Sequence, residues 1–130
     1  MNENKLREQI CTLASSMFDR GITHGSTGNI SVRLDNDDIL VTPSGSSFGR
    51  LEPNEIVKVT KSGQSIGSLL PTKELPLHKA FYETRGMKSG AVVHLHSTHS
   101  VALSMLPGID EDNVLPSYTP YSIMLLGKVK

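Results

Sequence analysis

Leu6, Ile10, Leu13, Ala14 and Met17 recur at i, i+4, i+7, i+8 and i+11, an apolar stripe along one face of a helix that Gly21 would stop. Beyond it the period shortens to two. Ile30, Val32 and Leu34 alternate with Ser31 and Arg33, the pattern of a half-buried strand. The polar turn 35–38 follows, and Ile39–Val41 returns as a second strand. Residues 56–59 predict a third strand and 61–64 a turn after it. Pro71-Thr72-Lys73-Glu74 predicts a helix start with Thr72 as N-cap, and Leu77, Ala80 and Phe81 as the buried face. Pro76 is tolerable because it lies in the first turn. Residues 91–96, Ala-Val-Val-His-Leu-His, read as a further strand after Gly90. A helix opens at Thr98-His99-Ser100, carries Val101, Ala102 and Met105, and stops at Pro107-Gly108. From Val114 the pattern weakens: Pro116 and Pro120 break it, and 123–126 is a short apolar run.

Composition narrows the class. A chain of 130 residues, 37% apolar and 20% charged, predicts one soluble globular domain over residues 1–130. Thirteen basic and thirteen acidic residues balance, so there is no electrostatic footprint for nucleic acid or an acidic membrane as a partner. No apolar run approaches the roughly 18 residues of a membrane-spanning helix. The N-terminus is too polar for a secretory signal. The single cysteine, Cys11, allows no internal disulfide and sits as a packing residue in the first helix; a cytoplasmic location is expected.

The chemistry concentrates in Ala91-Val-Val-His-Leu-His-Ser-Thr-His-Ser100, which holds three of the five histidines. On a strand, His94 and His96 share one face with Cα atoms about 7 Å apart. That spacing suits two ligands of one zinc ion, which in catalytic sites takes three protein ligands and keeps one position open. His99, His78, His24 and Glu74 are candidates for the third, and the pattern does not choose among them. Glu74 also reads as a first-turn acid favoured by the helix dipole, and His78, one turn on, as a helix-surface residue. Two small-residue loops, 24–29 and 42–47, can present N–H and hydroxyl donors to an anion or serve as plain turns. The acidic turn 35–38 lacks the central Gly and distal Glu of an EF-hand loop. Together these features suit a metal-polarised carbonyl, a carboxylate moving a proton and a phosphate pocket.

Four motifs, in order, carry a family resemblance: Gly-Ser-Thr-Gly-Asn-Ile-Ser-Val-Arg, Leu-Val-Thr-Pro-Ser-Gly, Pro-Thr-Lys-Glu-Leu-Pro-Leu-His and Val-Val-His-Leu-His-Ser. The chain resembles the class II aldolase/adducin family, and its Thr-Lys-Glu and His-Leu-His-Ser-Thr-His wording is most similar to the 3-oxo-tetronate 4-phosphate decarboxylase branch. The resemblance implies a three-layer α/β sandwich with a mixed, largely antiparallel sheet flanked by helices. It implies one Zn2+ per subunit on His94, His96 and Glu74, with Glu74 also as the acid/base. Asn29, Ser44, Gly45 and Thr72 match positions that contact the substrate phosphate, Ser26 matches one more weakly, and Lys73 supplies a cation beside them.

The implied activity is a carbon–carbon lyase of sugar-phosphate metabolism. It would decarboxylate a 3-oxo-tetronate 4-phosphate to dihydroxyacetone phosphate and CO2 through a metal-stabilised enediolate. A fuculose-phosphate type of aldolase and a non-catalytic adducin-type interaction module are the alternatives, and intact Glu74, His94 and His96 argue against the latter. Gly-x-Ser-x-Gly strings stand at 45–49 and 63–67, but neither joins an expected strand to an expected helix as a hydrolase elbow does, and no His-Glu-x-x-His helix occurs. The family also implies a homotetramer with sites at subunit interfaces, and a longer chain whose third zinc histidine lies beyond Lys130, so the domain reads as truncated at its C-terminus.

Overall fold

The computed structural model describes residues 2–110, 112–115, 119–127 and 129, without the side chains of Lys88 and Leu126. Two compact units divide the chain, one up to Thr98 and one from His99 onward.

The first unit opens with helix α1, Glu3–Asp19. The Asn2 side chain accepts the Asn4 N–H at 2.9 Å and caps it. Leu6, Ile10 and Ala14 are buried as the stripe predicts, while Leu13 at its margin is 60% exposed. Five strands follow in one sheet: β1 Asn29–Arg33, β2 Ile39–Val41, β3 Val57–Val59, β4 Ser65–Ile66 and β5 Ala91–His94. Their order is β4-β3-β2-β1-β5, and every pairing among the described strands is antiparallel, so the expected parallel component is not among them. The two-residue β4 is too short to show an alternation in the sequence. Helix α2, Leu75–Arg85, lies between β4 and β5 in the chain.

The central strands of the sheet are covered on both faces. On one side Ile30, Leu40, Phe48, Leu51 and Ile56 pack with Leu6, Ile10 and Ala14 of α1. On the other, Ile39, Val41, Val57 and Val59 pack with Tyr82 and Leu75 of α2 and with Val92. This is the expected three-layer sandwich. It corrects the reading of β1 as half-buried, because Ser31 on its polar face is fully enclosed beneath α2.

Helix α2 brings two more corrections. Its buried residues are His78 and Tyr82, whereas Leu77 and Phe81 are 42% and 41% exposed and Ala80 is exposed as well. His78, expected on the surface, is fully buried. The enclosed Ser31 hydroxyl supplies hydrogen-bond partners that draw the polar pair inward, and the helix is rotated accordingly. The cap also moves. Glu74 holds the N-cap position, and Thr72 acts one step earlier, its Oγ1 accepting the Glu74 N–H at 3.3 Å.

The second unit contains most of α3, Thr98–Ser104, and α4, Pro120–Leu126. Pro120, read as an interruption, occupies the first turn of α4, where its missing N–H has no partner to lose. Met105 lies just past the end of α3 and is 78% exposed. Pro116 and Glu111 lie outside the described residues. No helix among the described residues is long and apolar enough to cross a membrane.

Candidate active site

Register places the candidate residues at one end of the sheet. Asn29 opens β1 and sits directly opposite His94, the last residue of β5. Ser31 pairs with Val41, so β2 delivers the loop 42–47 to the same end. There the Ile30 N–H donates to Thr42 Oγ1 at 3.2 Å, and the Thr72 N–H to the Thr42 carbonyl at 3.1 Å. The Ser44 N–H donates to the Leu70 carbonyl at 2.9 Å, and Pro43 bridges to Pro71. These bonds fasten the segment leading into α2 against the loop after β2, and so carry Glu74 to the end of β5.

Glu74, His94 and His96 converge, with one ligand atom from each lying within 4.8 Å of the others. The strand ends at His94, and His96 lies just beyond it, yet the two imidazole centroids are only 4.8 Å apart, tilted by 43°. Glu74 Oε2 faces His94 Nδ1 closely. Both atoms are buried, and neither has a well-formed hydrogen bond. Two buried lone-pair atoms aimed at each other without a bond are what a shared cation would reconcile. The carboxylate is also not engaged in capping α2. Two imidazoles and a carboxylate form a donor set that fits a divalent metal ion.

Of the candidates for a third ligand, the fold brings in Glu74. His24 is exposed in its turn, its carbonyl accepting the Thr27 hydroxyl at 2.7 Å. His78 is engaged elsewhere, and His99 belongs to the second unit. Gly28 explains the packing beside His94. Its φ is +83°, and a Cβ there would meet the His94 carbonyl at 3.0 Å. Only glycine lets the loop before β1 lie against β5 at this point.

Asn29 and Thr72 are buried, while Ser44, Gly45 and Lys73 are exposed, and Ser26 is exposed on its loop. Gly45 has φ +73° with open space about its Cα, so its loop presents backbone rather than side chain. Asn29 Oδ1 is bonded to His78 Nε2, and His78 Nδ1 lies 2.7 Å from Ser31 Oγ. Ser31 Oγ lies 2.7 Å from the Tyr82 hydroxyl, whose ring is stacked under Arg33 at 5.2 Å. Burial first of all pushes the His78 imidazole below its ordinary value; His94 adds to this and Glu74 opposes it. The sequence reading missed this network, although a lone serine between apolar strand residues and a His/Tyr pair one turn apart were its visible traces.

Comparison with known proteins agrees with this fold. Residues 8–130 match the class II aldolase and adducin N-terminal domain. The chain is 45% identical over 127 residues to the 3-oxo-tetronate 4-phosphate decarboxylase of Escherichia coli O6:H1 strain CFT073, covering 98% of this chain and 59% of that protein. It is 37% identical over 106 residues to the L-fuculose phosphate aldolase of Escherichia coli K12, covering 82% of this chain and 48% of the aldolase. The crystal structure of YgbL from Escherichia coli superposes with a TM-score of 0.89 at 42% identity, over 98% of this chain and 61% of that one. The chain thus spans about three fifths of the length of the decarboxylase it matches.

Proposed function

The chain belongs to the class II aldolase and adducin N-terminal domain family, and on that premise we propose that it carries the metal- and phosphate-binding part of a carbon–carbon lyase. Its substrate on this reading is a 3-oxo-tetronate 4-phosphate, which loses CO2 to give dihydroxyacetone phosphate. The convergence of Glu74, His94 and His96 carries the reading. Its support in substrate class is the identity to a 3-oxo-tetronate 4-phosphate decarboxylase along nearly the whole chain.

His94, His96 and Glu74 would hold zinc, which when bound supplies a Lewis acid for the ketone and for the negative charge that develops as CO2 leaves. The chain's own groups do the rest. The Asn29 amide, the Ser44 hydroxyl, the Gly45 N–H and the Thr72 hydroxyl are donors for the phosphate, and Lys73 brings a positive charge. Thr72 retains its proton for this, since its oxygen is the acceptor in the bond to the Glu74 N–H. Holding the phosphate fixes the carboxylate-bearing carbon relative to Glu74. The C–C bond to the carboxylate breaks, its electron pair passes toward the adjacent ketone, and Glu74 delivers a proton to the carbon that lost CO2. Aldol cleavage of L-fuculose 1-phosphate needs the same groups, and 37% identity to such an aldolase makes it the second reading.

The test is metal analysis beside product analysis. The chain purified without chelators is expected to bind zinc, and His94→Ala to lose it. CO2 release from 3-oxo-tetronate 4-phosphate should exceed aldehyde release from L-fuculose 1-phosphate. A chain with no affinity for zinc defeats the lyase reading, and the reverse substrate preference replaces decarboxylation by aldol cleavage.

A further inference from the structure

Asn29 stands at one end of a line of buried polar groups that metal and phosphate binding do not by themselves require. The line runs Tyr82 hydroxyl, Ser31 Oγ, His78 Nδ1, His78 Nε2 and Asn29 Oδ1. His78 and Ser31 are fully enclosed, and Tyr82 and Asn29 are 5% and 6% exposed. A neutral imidazole carries one proton, so the line has two self-consistent directions. In one, Nδ1 donates to Ser31, Ser31 donates to Tyr82, and the Tyr82 proton is left without an acceptor inside the core. In the other, Tyr82 donates to Ser31, Ser31 donates to Nδ1, and Nε2–H donates to Asn29 Oδ1. The second satisfies every proton in the line.

We infer that His78 is a positioning residue: as the Nε2–H tautomer it holds Asn29 by its carbonyl oxygen, so that the Asn29 NH2 is what an anionic oxygen of the ligand meets. An unrestrained asparagine amide turns either edge outward, and its oxygen edge would repel phosphate. The bonds from Tyr82 through Ser31 to His78 remove that choice. Helix α2 therefore serves both halves of the site, Glu74 for proton transfer and, one turn on, His78 for the phosphate donor. The inference rests on the proposed role of Asn29 at the phosphate.

The experiment uses the zinc-loaded full chain. Nitrogen-15 NMR of the imidazoles is expected to find the His78 proton on Nε2; a proton on Nδ1 overturns the inference and leaves the phosphate reading standing. Titration with inorganic phosphate is expected to show Asn29→Ala weakened about tenfold. Ser31→Ala and His78→Leu should weaken binding comparably at unchanged zinc content, and His78→Gln, which keeps a donor at the Nε2 place, should recover most of it. In the Asn29→Ala background His78→Leu should add nothing. An undiminished His78→Leu effect in that background overturns the positioning role. Should His78→Leu not fold, the NMR result and Ser31→Ala decide. Full phosphate affinity in Asn29→Ala defeats the phosphate reading, and the inference with it, whatever the tautomer.

Discussion

Gly28 is the residue on which the arrangement turns most sharply. A side chain there would adopt a left-handed conformation and press on the His94 carbonyl. Gly28→Ala is expected to lower stability by about 1–2 kcal/mol and, on the proposed reading of His94 as a zinc ligand, to weaken zinc binding as well. Urea unfolding and a zinc titration read the two effects separately. The same substitution at Gly45, where φ is also positive but space is open, should carry the backbone cost without the loss of metal. His78 adds a pH dependence. Its folded value is depressed, so the unfolded chain takes up the proton first. The stability it contributes is complete above the ordinary value of 6.5 and is lost as pH falls below it. In metal-free chain the unfolding midpoint should drop as pH falls below 6.5, and His78→Gln should flatten that part of the profile.

Helix α2 shows what an element reveals of itself and what only its neighbours reveal. Leu77, Ala80 and Phe81 and, on the other face, Leu75, His78 and Tyr82 both follow helical spacing. Hydrophobicity favours the first set, yet His78 and Tyr82 of the second are buried and Leu75 partly so, because the deciding group, Ser31, lies 47 residues away from His78 in the chain. Tyr82→Phe, which keeps the ring and removes the hydroxyl, should cost about 1–2 kcal/mol in thermal or urea unfolding, while Phe81→Ser should stay within about 0.5 kcal/mol. Strands β1, β2, β3 and β5 and the stripe of α1 were readable because each carries its own period. The pairing of His94 with His96 was readable from His-x-His, but the convergence of Glu74 on them, rather than of another histidine, was not. That choice depends on the bonds tying Thr42 to Thr72 and Ser44 to Leu70, which no local pattern encodes.

At the scale of the molecule, the N-terminal helix is fastened to the sheet by charge as well as by packing. Arg7 donates to the carbonyls of Ile56 and Pro53 and pairs with Glu3, which also pairs with Lys58 at 2.8 Å. The Lys58 ammonium, and after it the Arg7 guanidinium, hold the Glu3 carboxyl below the usual 4.5. That contribution is present above the ordinary carboxylate range and vanishes as pH falls through the lowered value. Acid unfolding should therefore show two steps, one below 6.5 from His78 and one below 4.5 from Glu3. Glu3→Gln should shrink the second, which the lowered Asp37 and Asp38 share, at a cost of about 0.5–1 kcal/mol at neutral pH after solvent screening. The family resemblance also leads to an expectation for assembly: light scattering should find a particle larger than one chain, and a strictly monomeric one would contradict it.

The pairing of Asn29 with His94 across two strands has one more consequence. Residues opposed in an antiparallel ladder sit about 5 Å apart whatever their side chains are, so on the proposed reading the gap between metal and phosphorus is gauged by main-chain geometry. Such a ruler would reject a substrate longer by one carbon between ketone and phosphate. No exchange of a single residue in the two loops should retrain it; lengthening the reach would take a shift of the strands themselves.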